Sequence, residues 1–456
     1  MRIVIGGLLL LISTLAVGRG LEPNGSLVVT QSSWQHQNTQ YLVKPASLMK
    51  LVTATAALSQ LGADFHFNTV LEINAFSSSQ ADIRLIFQGD PTLTLTQLQT
   101  LLSHLKQAGI RSVRHFYIDD SIYSGHPWGI GQVWNDHGIC FAAPVSAIMV
   151  NRNCILGNLK PTQSGQLTRL HTQNYAGVSF DNQVITGDVG QLKCEPLLMA
   201  TSHNHFVLTG CLPKQNGVMP LAFSVMDPRL YIQAIVTKYF KQNEISWSHQ
   251  LMFNKGHLAR VTQQWSNQSK PLSELLKEML KHSDNLIADS LFKRLGVAVD
   301  DSQSGSYQSG AEAVWQILAK YGIQKSNQIL MDGSGLSREN LLYADTLYKV
   351  LQLWQNHVRF RPLIDDLPVA GVDGTLRYRH ALLKKPFVSH VFAKTGSMAG
   401  VANLAGYIQK AHQLRPFVML ASQLADTDPK LSSTELIQIF EQNFLQSGFN
   451  ALPTVK

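Results

Sequence analysis

The segment that most constrains the fold of this chain is KPASLMK at residues 44–50, which runs directly into an apolar, alanine-rich segment at residues 51–61. Ser47 lies where a helix is expected to begin, and Gly62 is typical of the residue that ends one. Ser47 and Lys50 are three residues apart, so on this helix they lie on the same face. A lysine that its surroundings keep neutral can accept the proton of a serine hydroxyl. The segment therefore predicts a helix that carries a serine nucleophile and its base.

The S-x-x-K spacing alone is a weak signal, because it also occurs at Ser103–Lys106 and at Ser290–Lys293. Any single match is compatible with a solvated helix face. Residues elsewhere in the chain must therefore distinguish Ser47 from the other two serines.

Two further patterns follow Ser47 along the chain. Ser283-Asp284-Asn285 lies at the junction of two helical segments, and Lys394-Thr395-Gly396 lies on a strand near the end of the chain. K-T-G occurs once in the sequence, whereas S-x-N occurs also at residues 202–204. Three short patterns in this order are far less probable by chance than any one of them. Together they are typical of serine β-lactamases and penicillin-binding proteins.

Taken together, the motifs resemble those of the class C low-molecular-mass penicillin-binding proteins, which are D-alanyl-D-alanine carboxypeptidases and endopeptidases. The resemblance covers nearly all of the mature chain. Its motifs are Pro45–Lys50, Gly89–Leu93, Ser283–Asn285, Asp332–Arg338, Leu367–Leu376 and Ala393–Ser397. It implies an exported hydrolase that acts on peptidoglycan stem peptides through an acyl-enzyme and is inhibited by β-lactams.

The resemblance also implies a fold of the α/β (α+β) class, with a DD-peptidase-like catalytic domain built from an antiparallel sheet and a helical subdomain. Ser47 and Ser283 are 236 residues apart, which matches a family whose catalytic domain is interrupted by a large mixed α/β insertion and does not suit a compact β-lactamase. We expect a discontinuous catalytic domain at 19–62 and 250–456. The insertion at 63–249 is expected to form two subdomains.

The resemblance implies that Ser47 attacks the carbonyl group of the penultimate D-alanine and that Lys50 is the base that accepts the serine proton. Burial and the nearby charge of Lys394 are both expected to lower the pKa of Lys50. Ser283 is expected to relay a proton to the leaving amine. Asn285 is expected to hold the backbone amide of the substrate.

The K-T-G strand is expected to bind the substrate carboxylate through Lys394 and the Thr395 hydroxyl, with Gly396 between Thr395 and Ser397 in the same strand. The backbone N–H groups of Ser47 and Ser397 are expected to form the oxyanion hole. Arg338, at the end of the Asp332–Arg338 motif, is a second candidate for a substrate carboxylate.

Two positions depart from the family pattern. Members that prefer diaminopimelate side chains carry an acidic residue where this chain has Asn151, so the free amine of such a substrate lacks a charge partner here. At Ala399 some members carry a larger polar residue. Both differences affect which third residue of the stem peptide is bound, and neither affects the acylation residues.

The N-terminus predicts export to the periplasm. Met1 and Arg2 precede an apolar run at residues 3–17, which is typical of a signal peptide at 1–18. An uncleaved anchor or a buried strand is the alternative. Export places the four cysteines in an oxidising compartment, where Cys140 with Cys154 and Cys194 with Cys211 are preferred among three possible connectivities.

Composition narrows the expected partners. The net charge of +8 favours anionic cell-wall polymers or lipid head groups, although a basic surface without a specific partner explains it equally well. Nucleic acid is not expected, because no basic run carries interleaved aromatic residues. The sequence has no C-x-x-C, and the pair His203 and His205 lacks a third ligand at a suitable spacing, so we expect no metal or cofactor.

Hydrophobic periodicity gives a coarse outline of the elements. It predicts short strands at 27–30 and 41–43, a strand at 258–264, and antiparallel strands near the end of the chain. Loops are expected to fill much of 124–216.

Two other functions remain open at this point: a β-lactamase, which requires a carboxylate to activate the deacylating water, and a catalytically idle scaffold that binds the cell wall.

Overall fold

A computed structural model describes residues 27–173, 177–188, 194–253, 256–411, 413–423 and 433–451. The signal peptide predicted at 1–18 lies outside these residues. None of the described helices has the length and apolar character needed to cross a membrane.

The helices of the described residues lie in several layers, and four of them pack around one central helix. In chain order they are α1 (Met49–Leu61), α2 (Leu95–Gln107), α3 (Pro228–Gln242), α4 (Leu272–His282), α5 (Asn285–Val299), α6 (Tyr307–Ala319), α7 (Ala344–Asn356), α8 (Pro362–Asp365) and α9 (Ser433–Ala451).

The strands in the described part of the chain form four sheets. The first half of the chain contains β1 (Leu27–Ser32), β2 (His36–Gln37), β3 (Asn68–Ala75), β4 (Gln80–Phe87), β5 (Ser112–Asp119), β6 (Cys154–Lys160), β7 (Arg169–Thr172), β8 (Ser179–Asn182), β9 (Ile185–Gly187), β10 (Pro196–Ala200), β11 (His205–Pro213) and β12 (Met219–Ser224). The second half contains β13 (Ser246–Trp247), β14 (Leu251–Phe253), β15 (Gln263–Gln268), β16 (Val391–Met398), β17 (Val401–Lys410) and β18 (Gln413–Ser422).

The central helix is α1, and every residue from Met49 to Leu58 is buried. Its alanines allow α4, α5, α6 and α7 to pack closely around it, and the side chains of these helices form one apolar core with it. The helix ends at Gly62, whose φ of +82° suits glycine, as the sequence predicts. A 3-10 turn at Ala46–Leu48 precedes the helix. The end of α1 that carries this turn is therefore held rigidly.

The strand that carries Lys394 lies at the edge of a five-stranded antiparallel sheet with the order β16-β17-β18-β1-β2. Alternate side chains of this sheet face opposite layers. Ala405 and Tyr407 belong to the core around α1, whereas Leu404 and Ile408 pack with residues of α9. The sheet is therefore covered on both faces, and β16 has one edge that β17 does not occupy.

The region between α1 and α4 has an apolar core of its own, which extends from Leu71 to Leu251 and also includes Leu286 of α5. Its largest sheet is mixed, with the order β13-β5-β4-β3-β15 and with β14 also pairing with β5. The strands of this sheet lie on both sides of residue 249, where the sequence places the end of the insertion. That boundary and the division of the insertion into two subdomains remain predictions.

The structure corrects three details of the predicted elements. Irregular segments occupy much of the described part of 124–216, as expected, but this span also contains six short strands, β6 to β11, which were not predicted because such strands form by pairing with other segments, as β6 does with β12. The strand expected at 258–264 is shifted to Gln263–Gln268. The strand expected at 41–43 is a single bridge between Val43 and Leu342. The expected disulfides Cys140–Cys154 and Cys194–Cys211 are both present.

Candidate active site

The turn that carries Ser47 is fixed by close backbone approaches. A Cβ atom at Gly335 would lie 1.9 Å from the Ala46 carbonyl oxygen, and one at Gly396 would lie 2.7 Å from the Pro45 carbonyl oxygen. Both glycines therefore allow the neighbouring segments to touch the turn. The side-chain amide of Asn403 also donates to the Pro45 carbonyl group at 3.0 Å.

Lys50 is fully buried and connects two of the three motifs. Its amine donates to Ser47 Oγ at 3.0 Å, to Asn285 Oδ1 at 2.7 Å and to the Ser334 carbonyl oxygen at 2.6 Å. All three donors of a charged amine are used in this arrangement. When the amine is neutral, its lone pair can accept the Ser47 hydroxyl proton across the same 3.0 Å contact.

Burial lowers the pKa of Lys50 from 10.5 to about 8, although nearby aspartates oppose this shift. At pH 7 such an amine is neutral in roughly one molecule in ten, compared with roughly one in three thousand at the ordinary pKa. The expected contribution of Lys394 is not among the causes of the shift. The pKa of Lys394 is itself lowered well below 10.5, by burial first and then by the nearby charge of Lys50.

The Ser283–Asn285 motif occupies the sharp break between α4 and α5. Ser283 has a φ of +58° and ends α4, whereas the Asp284 side chain accepts the N–H of Ile287 and begins α5. The break projects Ser283 toward Lys394, whose amine donates to Ser283 Oγ at 2.9 Å. The motif therefore lies between the two lysines.

The region between α1 and α4 supplies two contacts to this motif that the sequence analysis missed. Asn285 Nδ2 donates to the Phe141 carbonyl oxygen at 2.9 Å, and Arg152 forms an ion pair with Asp284. Phe141 follows Cys140, and Arg152 lies two residues before Cys154. No local pattern marks these contacts, because each joins residues more than a hundred positions apart.

The remaining residues of the K-T-G strand lie along the edge of the sheet. Lys394 also donates to the Thr395 carbonyl oxygen at 2.9 Å, and the Thr395 hydroxyl lies 2.9 Å from the Thr375 hydroxyl. Ser397 is exposed and is paired with Ala402 of β17. The strand therefore carries a buried amine at Lys394, a half-buried hydroxyl group at Thr395 and an exposed hydroxyl group at Ser397.

A buried carboxyl group that the sequence analysis did not single out lies behind Lys50. Asp289 accepts the backbone N–H groups of Gly333 and Ser334, and burial together with Asp332 raises its pKa to about 7. Its position one helical turn after Asn285 was the signal that could have indicated it, since residues four apart share a helix face.

Arg338 and Asn151 are not joined to this network by side-chain hydrogen bonds. The side chain of Arg338 is exposed, and its backbone N–H donates to the Gly131 carbonyl group at 3.0 Å. Asn151 Oδ1 accepts the Leu95 N–H at 2.8 Å, at the start of α2. The substrate roles of both residues therefore remain predictions.

The other S-x-x-K matches have different environments. Ser103 donates to the Thr100 carbonyl oxygen at 2.7 Å on an exposed face of α2, and Lys106 is exposed. Lys293 is buried, and its amine donates to the carbonyl oxygens of His126 and Val145 rather than to Ser290. Only the Ser47 match, among these three, pairs the serine with the lysine.

No group of His, Cys, Asp and Glu side chains among the described residues has the geometry of a metal site. The geometry instead resembles that of a serine acyl transferase, with a nucleophile, a buried amine and a polar strand edge.

The comparisons with known proteins agree with this geometry. A model of the D-Ala-D-Ala carboxypeptidase 3 (S13) family matches residues 26–443. The chain belongs to this family. This result confirms the resemblance that the sequence motifs indicate.

Sequence and structure matches from Haemophilus influenzae indicate how much of the chain is similar to known S13 family members. The D-alanyl-D-alanine carboxypeptidase DacB is 35% identical over 411 residues, which are 87% of this chain and 84% of that protein. The crystal structure of penicillin-binding protein 4 is 32% identical, with a TM-score of 0.86, and the likeness covers 94% of this chain and 97% of that chain. A complex of that protein with a β-lactam is 30% identical, with the same coverage and a TM-score of 0.81. The expected DD-peptidase-like fold is confirmed.

Proposed function

We propose that this S13 peptidase is a serine-type D-alanyl-D-alanine carboxypeptidase that acts through an acyl-enzyme on Ser47, and that it is also a DD-endopeptidase. The observation that carries the proposal is the Lys50 amine, which contacts both Ser47 Oγ and Asn285 Oδ1 while its pKa is lowered to about 8. A neutral amine in hydrogen-bond contact with a serine hydroxyl is the arrangement that general-base activation requires.

In acylation, Ser47 Oγ attacks the carbonyl carbon of the penultimate D-alanine, and the hydroxyl proton passes to the Lys50 amine. A tetrahedral intermediate forms, whose oxyanion is bound by the backbone N–H groups of Ser47 and Ser397. The C–N bond then breaks, and Ser283 passes a proton to the departing amine. Water hydrolyses the resulting ester, releases the shortened peptide and restores the Ser47 hydroxyl.

The edge of β16 is proposed to bind the terminal carboxylate. A carboxylate that binds beside the Lys394 amine favours the charged form of this amine and raises its lowered pKa. The next residue, Thr395, supplies a hydroxyl group on the same strand. Gly396, which follows it, allows the strand to lie close to the turn that carries Ser47. Asn285 holds the substrate amide, and Arg338 remains a candidate for a second carboxylate.

Endopeptidase activity follows from the same acyl-enzyme, because only the leaving amine differs: free D-alanine in one reaction and the side chain of a second stem peptide in the other. Asn151 carries no charge to attract a free amine of the substrate, and its side chain already accepts the Leu95 N–H. We therefore propose that an amine-bearing third residue contributes little to binding.

The proposal includes export to the periplasm, where peptidoglycan is the substrate and β-lactams are inhibitors. The signal-peptide pattern supports export, and the β-lactam complex of the H. influenzae protein supports inhibition at this site. The net charge of +8 is compatible with loose association with anionic wall polymers or a membrane surface.

A single set of assays tests this function. The purified protein is incubated with a pentapeptide that ends in D-Ala-D-Ala, with a cross-linked dimer and with a fluorescent penicillin. We expect release of D-alanine, cleavage of the dimer and stable labelling, all of which Ser47→Ala abolishes. Rapid turnover of penicillin would instead indicate a β-lactamase. A folded protein that takes no label and releases no D-alanine would indicate an idle scaffold.

A further inference from the structure

Asp289 is a buried carboxyl group that contacts the segment behind the Lys50 amine. It lies on α5, one turn after Asn285, and is 2% exposed. Its Oδ1 atom accepts the N–H groups of Gly333 at 2.9 Å and Ser334 at 2.7 Å, and its Oδ2 atom accepts the Ser334 hydroxyl at 3.1 Å. One side chain therefore fixes two consecutive peptide groups.

The same two residues present their carbonyl groups to α1. The Ser334 carbonyl oxygen accepts from Lys50 at 2.6 Å, and the Gly333 carbonyl oxygen accepts from the Thr53 hydroxyl at 2.7 Å. Asp289 binds the N–H groups and α1 binds the carbonyl groups, so the turn is held from both sides. Without Asp289, two buried N–H groups lose their acceptor, and the turn must move to find another.

Several titratable groups face Asp289. Lys50 lies on α1, Asp332 lies on the turn itself, the Tyr307 hydroxyl on α6 is 3.4 Å from Oδ2, and Lys293 lies on the same helix. Asp289 raises the pKa of Lys50, in opposition to burial. Burial and Asp332 raise the pKa of Asp289 to about 7, whereas Lys50 opposes this shift, so the protonation of each group affects that of the other.

We propose that Asp289 is a positioning residue for acylation: its carboxyl group fixes the turn at 332–335 so that the Ser334 carbonyl oxygen holds the Lys50 amine beside Ser47. Its negative charge also sets how readily that amine releases its proton. This inference deepens the proposed function and depends on it. Asp289 touches neither substrate nor Ser47, and it acts entirely through Ser334 and Lys50.

Two substitutions separate the positioning role from the charge. Asp289→Asn keeps an oxygen that can accept both N–H groups and so keeps this anchor of the turn, but it loses the charge, together with the Oδ2 acceptor of the Ser334 and Tyr307 hydroxyl groups and the Gln132 amide. Asp289→Ala removes both the anchor and the charge. Asp90→Ala is the matched control, because Asp90 is also a buried carboxyl group that accepts hydrogen bonds within a short turn, from Thr92.

The measurement is the rate of acylation by a fluorescent penicillin between about pH 6 and pH 10, which reports the protonation state of the base. We expect Asp289→Asn to retain the wild-type maximum and to move the rising limb of the profile to lower pH by about one unit, because the pKa of Lys50 falls when the charge is lost. We expect Asp289→Ala to slow acylation at least tenfold across this range. Asp90→Ala is expected to leave the profile unchanged.

The inference is overturned if Asp289→Ala acylates within twofold of wild type with an unmoved profile, or if the profile of Asp289→Asn does not move to lower pH. If Asp289→Ala does not fold, the profile of Asp289→Asn decides. If the wild-type protein is not acylated at all, the proposed function is refuted. If the wild-type protein is acylated and substitutions at residue 289 do not change the rate, only the inference about Asp289 is refuted.

Discussion

Removing the Cys140–Cys154 disulfide should slow acylation, because neighbours of both cysteines contact the Ser283–Asn285 motif. The Phe141 carbonyl group accepts from the asparagine of the motif, and Arg152 forms an ion pair with its aspartate. The double substitution to serine frees the two segments to move independently. The asparagine that contacts the Lys50 amine then loses its fixed orientation.

The expected free-energy changes distinguish slower acylation, caused by a displaced Ser283–Asn285 motif, from a general loss of stability. The two disulfides close loops of similar length, with sequence separations of 14 and 17, so loss of either should lower the free energy of unfolding by about 3 kcal/mol. Loss of Cys140–Cys154, unlike loss of Cys194–Cys211, is also expected to weaken the Asn285–Phe141 hydrogen bond, which is worth about 1 kcal/mol, and the Asp284–Arg152 ion pair, which is worth up to about 1 kcal/mol. A combined loss of about 1.4 kcal/mol corresponds to tenfold slower acylation.

Urea unfolding and the acylation rate of a fluorescent penicillin provide the assay, and Cys194→Ser/Cys211→Ser is the matched control. We expect both double variants to unfold at lower urea concentrations by similar amounts. Only Cys140→Ser/Cys154→Ser should acylate about tenfold more slowly under conditions in which both variants are folded. Equal acylation rates in the two variants would refute the reasoning that this disulfide holds the motif.

Two further predictions concern the packing and the protonation of the site. Gly335→Ala should slow acylation strongly and should lower stability by at least about 2 kcal/mol, because its Cβ atom would lie 1.9 Å from the Ala46 carbonyl oxygen. Gly165→Ala, which also has a positive φ but open space around its Cβ atom, should affect only stability, and equal effects on acylation would contradict the packing argument. Acylation of Ser47 should accelerate as the pH rises through about 8, because protonated Lys50 cannot accept the hydroxyl proton. A rate that is independent of pH in this range would show that Lys50 is not the base.

The nucleophile helix could be predicted from the sequence because its signals are local. Ser47 and Lys50 lie one turn apart, and Gly62 ends the helix where its φ becomes positive. The S-x-N motif at Ser283 and the K-T-G motif at Lys394 follow Ser47 in the order that is typical of the family. This order indicated that Ser47, among the three S-x-x-K serines, is the nucleophile. These features depend on residue type and spacing, which a sequence displays directly.

The supporting contacts could not be predicted, because they join distant segments. Asp289 contacts Ser334 across 45 positions, and the Phe141 carbonyl group contacts Asn285 across 144 positions. The short strands within 124–216 were not predicted for the same reason. A strand such as β6 forms through its pairing with β12, which only the fold brings beside it.

The causes of the lowered pKa of Lys50 also differ from those expected from the sequence. Sequence reasoning treated the Lys394 amine as a permanent charge that lowers the pKa of Lys50. Burial is the largest cause of the lowered pKa of both lysines, and no spacing rule in the sequence gives the depth at which an amine is buried.

The most direct test of the account is to identify the residue that penicillin acylates. The protein is treated with benzylpenicillin and digested, and mass spectrometry locates the peptide that carries the added mass. We predict modification of Ser47 alone, abolished by Ser47→Ala and retained in Ser103→Ala, which changes a serine of the same S-x-x-K pattern on an exposed helix face. Acyl groups on another serine, or full labelling of Ser47→Ala, would contradict the central claim.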